Sequence, residues 1–472
     1  MSCLTQTGCP VDCEGIGCAD LFTATRISVF PGEGSPTSNP SAESASLLLE
    51  GDASRGPQFS LIIAEQTLIA GTPYSGDVLL LDPSSTPAAM DLEQRVLSRV
   101  EPEGVADAHG AEIVSVPDMD GDGQAELAIG APDSRGGGTD LEAGAAYLHL
   151  SLMTGWSEDI RAQDARLRVL GESARDHLGA RMVGCSDIDG DALGDLVIAA
   201  PHASGGATLG GEVHMVLSTQ LGSLEPQVLS GSLNQTWVGV ETGGLYGNAL
   251  SCISGFQSPT TPGLAIGAPG APGSAGQAGA GSIYLVAADP LPPSGDATTV
   301  SRLILQGENT ADALGHSLDA GDIDGDGLSE LLAGAPGSSF GAGAVHLWTG
   351  EQLADEIESP ALIEFTAETD RDHLGRAVAL ADFNGDGHLD ILIGAPRFAA
   401  DPSEQDEFHG VLYMFLGSAD IAGTWSITQP VLESDVRWYS PEPFLRTGES
   451  FVTGDLNADG YAEIALLLGA RP

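Results

Sequence analysis

The sequence is poor in basic residues, aromatic residues and long apolar runs. Only 17 of its 472 residues are lysine or arginine, against 67 aspartates and glutamates, so the formal net charge is −50 at pH 7. A surface this negative repels nucleic-acid phosphates and anionic lipid headgroups, so neither is an expected partner. No apolar run approaches the roughly 18 residues that a membrane-spanning helix needs, so membrane insertion is not expected. Aromatic residues, at 5%, supply few rings for stacking on sugars.

Cysteine is also scarce, and four of the six cysteines lie in the first 18 residues: Cys3, Cys9, Cys13 and Cys18. An even number of closely spaced cysteines indicates a small disulfide knot formed in an oxidising compartment. A four-thiolate zinc site is the alternative, although the usual pairs of cysteines two residues apart are missing. No basic segment followed by an apolar one opens the chain, so no signal peptide is visible. The cysteines favour an extracellular or cell-surface protein, with its export signal already removed, over an intracellular one.

Glycine is in excess, with 64 residues, about twice the usual share. The segment Gly-Ala-Pro, or a close variant, recurs seven times after an apolar segment. The copies begin at Gly71, Gly130, Ala199, Gly267, Gly334, Gly394 and Gly469, which are 59 to 75 residues apart. Most units hold four short apolar segments between Gly-rich turns, as at 167–170, 177–183, 196–199 and 213–217. Such units are typical of propeller blades, and no segment shows the period of a helical solenoid.

The sequence therefore predicts an all-β fold: a seven-bladed β-propeller of four-stranded antiparallel blades over residues 21–472, after a Cys-rich extension at 1–20. The seventh unit stops at Pro472, directly after its third strand. If each blade takes the first strand of the next unit as its outer edge, segments 25–30 and 47–51 supply the strands that the last blade lacks. We expect residues 23–51 to complete that blade, because a closed ring buries both faces of each sheet.

Five of the seven units carry a nine-residue acidic loop directly before the third strand. Oxygen-bearing side chains occupy positions 1, 3, 5 and 9, small residues occupy positions 4 and 6, and position 7 varies. In that order, positions 1, 3, 5, 7 and 9 are Asp118, Asp120, Asp122, Gln124 and Glu126; Asp187, Asp189, Asp191, Leu193 and Asp195; Asp322, Asp324, Asp326, Leu328 and Glu330; Asp382, Asn384, Asp386, His388 and Asp390; and Asp455, Asn457, Asp459, Tyr461 and Glu463.

This pattern predicts a loop wrapped around one hard cation, with position 7 contributing its backbone carbonyl. Six or more oxygens in a flexible cage favour Ca²⁺ over Mg²⁺. Three or four carboxylates in one short loop repel each other, so we expect about five calcium ions and a stability that depends on them. An EF-hand is excluded because position 12 is apolar, as at Ile129 and Ala333. Segments 61–67 and 252–263, in the first and fourth units, lack the acids and are expected to hold no metal.

These features together resemble the FG-GAP repeat of integrin α-subunit propellers. Leu178-Gly179, Leu314-Gly315 and Leu374-Gly375 stand where the family has Phe-Gly, and His109-Gly110 and Tyr246-Gly247 are looser versions. The resemblance covers about residues 21–472. It implies calcium ligands at the loop positions given above, with the loops on one face and ligands or partner domains on the other. The chain differs from integrins in showing no leg domains, no inserted adhesion domain and no membrane helix, which favours a secreted relative over a heterodimeric receptor.

No catalytic residues are predicted. The sequence has no Gly-x-Ser-x-Gly, no His-Glu-x-x-His and no phosphate-binding loop. We expect a monomeric adhesion or ligand-binding module for an extracellular protein or glycan. The alternative is a propeller enzyme, a lyase or hydrolase of polysaccharide, which carboxylates converging with a basic residue at the channel mouth would favour. Several tryptophans on one face would favour a lectin instead.

Cys185 and Cys252 fall at corresponding positions in neighbouring units. They are expected either to pair or to remain as buried thiols.

Overall fold

A computed structural model describes residues 25–30, 47–51, 60–64, 67–72, 76–81, 90–91, 96–104, 107–136, 141–150, 159–356, 358–399, 408–439, 446–456 and 458–469. The extension at 1–20, with its four cysteines, lies outside these residues. Within the described part the regular secondary structure is almost entirely β. Its α-helices are single turns: α1 (Ser218–Leu221), α2 (Ala297–Val300), α3 (Ser338–Gly341), α4 (Gly350–Ala354) and α5 (Ile421–Thr424). None of the described helices is long and apolar enough to cross a membrane.

The described residues form 33 strands, most of them four to six residues long. The first seventeen are β1 (Thr25–Phe30), β2 (Leu47–Gly51), β3 (Ser60–Ala64), β4 (Thr67–Thr72), β5 (Asp77–Leu81), β6 (Met90–Asp91), β7 (Val96–Glu101), β8 (Glu112–Val116), β9 (Glu126–Ala131), β10 (Ala145–His149), β11 (Ile160–Arg161), β12 (Leu167–Leu170), β13 (Arg181–Cys185), β14 (Asp195–Ala200), β15 (Glu212–Val216), β16 (Gln227–Leu229) and β17 (Gln235–Val238). The others are β18 (Ala249–Ile253), β19 (Gly263–Ala268), β20 (Ser282–Ala287), β21 (Gly295–Asp296), β22 (Leu303–Gln306), β23 (Ser317–Gly321), β24 (Glu330–Ala335), β25 (Ala344–Trp348), β26 (Ile363–Thr366), β27 (Val378–Ala381), β28 (Asp390–Ala395), β29 (Val411–Phe415), β30 (Thr428–Pro430), β31 (Val436–Tyr439), β32 (Phe451–Gly454) and β33 (Glu463–Gly469).

The strands pair into seven sheets, which we number along the chain. Sheets 1 to 3 are β3-β4-β5-β7-β11, β8-β9-β10-β12-β16 and β13-β14-β15-β17-β21. Sheets 4 to 7 are β18-β19-β20-β22, β23-β24-β25-β26-β30, β27-β28-β29-β31 and β32-β33-β1-β2-β6. In each of sheets 1 to 6, three strands come from one repeat and the fourth is the first strand of the next repeat, as the sequence predicts.

Every sheet contains the four antiparallel strands that the sequence predicts, and five of the seven sheets have one strand more. Sheets 1, 2, 3, 5 and 7 have a fifth, outer strand that pairs in parallel with the fourth. These outer strands, such as β11 and β21, are only two or three residues long. A segment that short cannot display the alternation of apolar and polar residues by which a strand is recognised in a sequence.

The sheets are arranged as a closed ring. Their first strands contact one another in the cyclic order β3, β8, β13, β18, β23, β27, β32 and back to β3. Seven buried apolar clusters fill the spaces between neighbouring sheets. The cluster between sheets 7 and 1 includes Leu61, Leu79, Leu456 and Ala465. The core is therefore divided among the sheet interfaces, and the first and last repeats are joined through one of them.

Sheet 7 confirms the predicted joining of the two ends of the chain. Strand β1 lies between β33 and β2 and pairs antiparallel with both, so that Ile27 is opposite Leu467 on one side and Leu49 on the other. The N-terminal strands thus supply the third and fourth strands of the last sheet.

The two glycine motifs of the repeat meet where neighbouring sheets touch. A Cβ atom on Gly130, in the Gly-Ala-Pro segment of sheet 2, would lie 2.1 Å from the carbonyl oxygen of Gly179, which leads into sheet 3. Gly179 itself has a φ of +81°, a conformation that other residues rarely adopt. The recurrence of both motifs is therefore a packing requirement of the ring.

Cys185 and Cys252 form a disulfide that links β13 to β18, which settles the two alternatives left open by the sequence. The four described tryptophans, Trp237, Trp348, Trp425 and Trp438, are all buried, with exposed fractions of 7% or less. Trp156 lies outside the described residues. These four side chains therefore pack within the ring instead of forming a surface for sugars.

Candidate metal centres and the channel mouth

The five acidic loops join the first and second strands of sheets 2, 3, 5, 6 and 7. Neighbouring loops are hydrogen-bonded to each other. The N–H of Gly194 donates to the backbone carbonyl of Asp118 at 2.7 Å, and the N–H of Ala462 donates to the backbone carbonyl of Asp382 at 3.0 Å. The loops therefore lie on the same face of the ring. In sheet 1 this connection is too short for such a loop, since Ala64 pairs with Thr67 directly across the hairpin. Glu65, the one acid there, lies outside the described residues.

One hydrogen-bond pattern curls each of the five loops. In the first loop the Asp118 carboxylate accepts the N–H of Gly121 at 2.7 Å and of Gly123 at 2.9 Å. The carboxylate at position 5 accepts the N–H of position 7 in every loop. The carboxylate at position 9 accepts the N–H of position 2, at 2.7 to 2.9 Å. The backbone is thus wrapped around the carboxylates.

In three loops the carboxylates converge. Oxygens within 4.8 Å of one another come from Asp118, Asp120, Asp122 and Glu126; from Asp187, Asp189 and Asp195; and from Asp322, Asp324 and Glu330. Asp191 and Asp326 are not part of these groups. The groups are close enough for one ion each.

The two loops with asparagine at position 3 form no such group among the described residues. Asn384 Nδ2 instead donates to Asp386 Oδ2 at 3.0 Å, and Asn457 lies outside the described residues. Ligation by Asp382, Asp390, Asp455, Asp459 and Glu463 stays a prediction.

The second loop contains an acceptor atom without a protein donor. Asp189 Oδ1 is buried and has no hydrogen-bond partner among the described residues. Asp195, by contrast, accepts the N–H of Ile188 and of Ser218, both at 2.8 Å. A buried carboxylate oxygen without a donor fits a bound cation.

Sequence reasoning missed two hydroxyls that reach this loop. Ser218 Oγ donates to Asp191 Oδ2 at 2.6 Å, and Thr219 Oγ1 donates to Asp189 Oδ2 at 3.0 Å. Both residues begin α1, more than 20 residues after the loop. Only the pairing of β14 with β15 brings α1 back to this face, and the sequence carries no signal for that contact.

Electrostatics make the loops unfavourable in the absence of a cation. Burial, followed by the charges of the neighbouring aspartates, raises the pKa of Glu126 to about 8. Burial also raises the pKa of Glu330 to about 7, and those of Asp195 and Asp390 to about 6. The backbone N–H groups that donate to Glu330, Asp195 and Asp390 oppose these shifts. Each ring of acids therefore favours a positive charge at its centre, whether protons or a metal ion.

Three side chains at position 7 contact the neighbouring acidic loop. The side chain of His388 contacts the carbonyl of Ile323 in the neighbouring loop, with 3.1 Å between Nδ1 and O. Tyr461 lies against Gly385 of the loop before it, and Leu193 lies beside Gly121. These side chains join one loop to the next. The predicted ligation by the carbonyls of Gln124, Leu193, Leu328, His388 and Tyr461 stays a prediction.

The channel mouth, where the first strands begin, holds the combination named above as favouring an enzyme. Two carboxylates, Glu112 and Glu449, are each paired with an arginine: Glu112 lies 3.6 Å from Arg181, and Glu449 lies 3.2 Å from Arg376. The four residues line a cavity of about 610 Å³ that all seven first strands enclose. They come from different repeats, so no local motif in the sequence could have indicated the grouping.

Comparison with known proteins identifies the repeat. The FG-GAP repeat family matches residues 110–149, 314–348 and 374–406. Integrin alpha-8 of Mus musculus is 31% identical over 155 residues, and integrin alpha-V of Gallus gallus is 29% identical over 154. Each alignment covers 32% of this chain and 13% of the relative. Among solved structures, the Dos1 propeller aligns with a TM-score of 0.44 and 11% identity, covering 93% of this chain and 83% of that one.

The matched segments fall in the second, fifth and sixth repeats, and each contains or adjoins one acidic loop. The chain spans about an eighth of the length of the integrins that it matches. It thus carries FG-GAP repeats and is similar over about a third of its length to integrin α-subunits, which confirms the resemblance inferred from its motifs.

Proposed function

We propose that this chain is an extracellular or cell-surface calcium-binding propeller that acts as an adhesion or ligand-binding module for a protein or glycan. The observation that carries the proposal is the repetition of one hydrogen-bond pattern in five acidic loops on one face. Similarity to integrin α-subunits supports the adhesive part. In this proposal residues 21–472 form the propeller, residues 1–20 form a Cys-rich extension, and the chain acts as a monomer.

Calcium is the proposed ion because the donors are hard oxygens on flexible loops. Carboxylates at positions 1, 3, 5 and 9 would hold it, or an asparagine oxygen where position 3 is Asn384 or Asn457. The ion would supply the positive charge that these acids lack and would draw the two strands that flank each loop together.

Calcium binding is expected to show a stoichiometry of about five ions per chain by equilibrium dialysis with metal analysis. Asp322→Ala removes the ligand at position 1, which is aspartate in all five loops, so this variant should lose about one ion. Asp435→Ala is the matched control, because Asp435 accepts the N–H of Leu416 outside the acidic loops. A wild-type chain that binds no calcium, or an Asp322→Ala variant with an unchanged count, would contradict the proposed sites.

The adhesive role is tested by immobilising the calcium-loaded chain and exposing it to panels of extracellular matrix proteins and glycans. Saturable capture of at least one of them is expected, and chelation of calcium should abolish it. Capture that persists in the chelator would remove calcium from the binding role. Absence of any capture would contradict the adhesive function.

A polysaccharide lyase or hydrolase is the second candidate, favoured by Glu112 and Glu449 at the channel mouth. Both carboxylates already lie beside arginines, and the chain is similar to integrin α-subunits, so we rank this candidate second. The same glycan panel decides between the two. Release of new chain ends that Glu449→Gln abolishes would establish an enzyme in place of an adhesion module.

A further inference from the structure

A belt of polar side chains runs around the channel mouth. It lies at the beginning of the first strands, and the acidic loops lie at their other end. It consists of Glu112, Arg181, Asn248, His316, Arg376 and Glu449, one residue from each of sheets 2 to 7. Ser60 of sheet 1 completes the circle, and its hydroxyl donates to the carbonyl of Gly110 at 2.8 Å.

Contacts link the belt from Glu112 to Glu449. Arg181 Nε donates to the Asn248 carbonyl at 3.1 Å, and Asn248 Nδ2 donates to the His316 carbonyl at 3.2 Å. His316 Nε2 contacts Arg376 Nη1, and Arg376 Nε donates to Glu449 Oε1 at 3.2 Å. These contacts fix the positions of the two guanidinium groups before any ligand binds.

Charge around the belt is balanced, because each glutamate lies beside one arginine. Burial, with Arg376 and Arg181 nearby, lowers the pKa of His316 to about 4, so this ring is neutral at pH 7. The remaining charges are two arginines and two glutamates. Because the sheets follow one another around the ring, Glu449 and Glu112 flank Ser60 on one side. Arg181 and Arg376 flank Asn248 and His316 on the other.

The arginines retain binding capacity. Side-chain exposure is 49% for Arg181 and 39% for Arg376, so both reach solvent at the mouth. The hydrogen bonds of both arginines to the described residues use Nε and Nη1 and leave Nη2 for a ligand. The chain contains no lysine, so all 17 of its basic side chains are arginines. Two of them line one cavity in a protein with a net charge of −50.

A simple anion or cation does not match this arrangement. An anion would meet the carboxylates of Glu112 and Glu449 within the same cavity, and a cation would meet the two guanidinium groups. Burial raises the pKa of Glu112 and Arg181 opposes that shift, so an added cation beside Glu112 would favour its charged form. Only a ligand that carries both charges satisfies both sides.

We propose that the channel mouth binds a small zwitterion, with its carboxylate between Arg181 and Arg376 and its ammonium group between Glu112 and Glu449. Asn248 lies between the two arginines and would contact the carboxylate, and Ser60 lies between the two glutamates and would contact the ammonium group. The cavity of about 610 Å³ has room for such a molecule together with water. This site goes beyond the proposed adhesive role and is separate from the calcium loops.

The probes are glycine, β-alanine, 4-aminobutyrate, 5-aminopentanoate and 6-aminohexanoate, titrated calorimetrically into the calcium-loaded chain. This series varies only the distance between the two charges. Saturable binding with an optimum at one chain length is expected. Pentanoate and pentylamine, which carry one charge each, should bind at least about tenfold more weakly than the best zwitterion, because each can pair with only one side of the belt.

Arg376→Gln and Glu449→Gln should each weaken binding of the best zwitterion by at least about tenfold. Arg168→Gln is the matched control, because Arg168 pairs with Glu103 at 3.0 Å outside the channel, and it should leave the affinity unchanged. The calcium count of every variant confirms that it is folded.

No binding by any member of the series up to about 10 mM would overturn the inference, as would equal binding by pentanoate or an unchanged affinity in Arg376→Gln. Those results would leave the adhesive function intact. Zwitterion binding by a chain that shows no calcium-dependent capture would support this inference and contradict the adhesive function.

Discussion

Calcium-free protein is expected to melt about 15–25 °C below the calcium-loaded protein. Each bound ion stabilises the folded chain by RT ln(1 + [Ca²⁺]/Kd), which is about 2.7 kcal/mol at a concentration one hundred times Kd. Five sites together contribute about 13 kcal/mol. In a chain of this length 1 kcal/mol moves the melting temperature by about 1–2 °C. Differential scanning calorimetry of dialysed protein with and without added calcium measures the shift.

The size of that shift is expected to depend on pH. The raised pKa values of Glu126 and Glu330 mean that the folded, metal-free chain takes up protons more readily than the unfolded chain. The resulting stability is fully present below about pH 4.5, the usual pKa of a glutamate, and is lost as the pH rises through about 7 to 8. Metal-free protein should therefore be more stable at pH 5 than at pH 8.

Calcium reverses this dependence, because the ion takes the place of the protons and binds only the charged carboxylates. The calcium-induced rise in melting temperature should thus be greater at pH 8 than at pH 5. Magnesium at the same concentration is the control, and it should produce a smaller rise because it dehydrates reluctantly and requires octahedral geometry. Identical melting curves with and without calcium at pH 8 would contradict the proposed metal sites.

The sequence predicts the ring because the repeat is a local pattern that must satisfy the same packing seven times. A carbonyl of the next sheet lies within 2.1 Å of a Cβ position at Gly130, so any unit without a small residue there could not sit beside its neighbour. The same requirement predicts how the first and last units are joined. The last unit, without outer strands of its own, would leave backbone groups unpaired, and the N-terminal segments can pair with them.

What the sequence does not predict are contacts between residues of different repeats. Thr219 reaches Asp189 only because β14 and β15 pair, and Arg376 meets Glu449 only because sheets 6 and 7 are neighbours. The spacing of these residues in the sequence indicates neither contact. The same holds for the short parallel outer strands, since β21 is recognisable only by its partner β17.

Ile27→Pro is expected to destabilise the protein by about 2 kcal/mol or more, because a ladder hydrogen bond is lost and its carbonyl partner is left unpaired. Strand β1 has a partner on each side, so its backbone groups are paired with either β33 or β2, and proline removes one N–H and interrupts a ladder. The loss falls on the sheet that joins the two ends of the ring. The contacts of Leu456 and Val452 with sheet 1 depend on that sheet. Urea unfolding followed by circular dichroism measures the change in the midpoint.

Two substitutions separate loss of ring closure from a general effect of mutation. Ile27→Val keeps the backbone N–H and a β-branched side chain, so it should change the free energy of unfolding by less than about 1.5 kcal/mol. Met90→Pro places a proline in β6, the outermost strand of the same sheet, which has a partner on one side only. Its effect should be the smaller of the two prolines. If Ile27→Pro unfolds at the urea concentration of the wild type, the N-terminal strand does not close the ring, because a strand paired on both sides cannot lose a ladder hydrogen bond without cost.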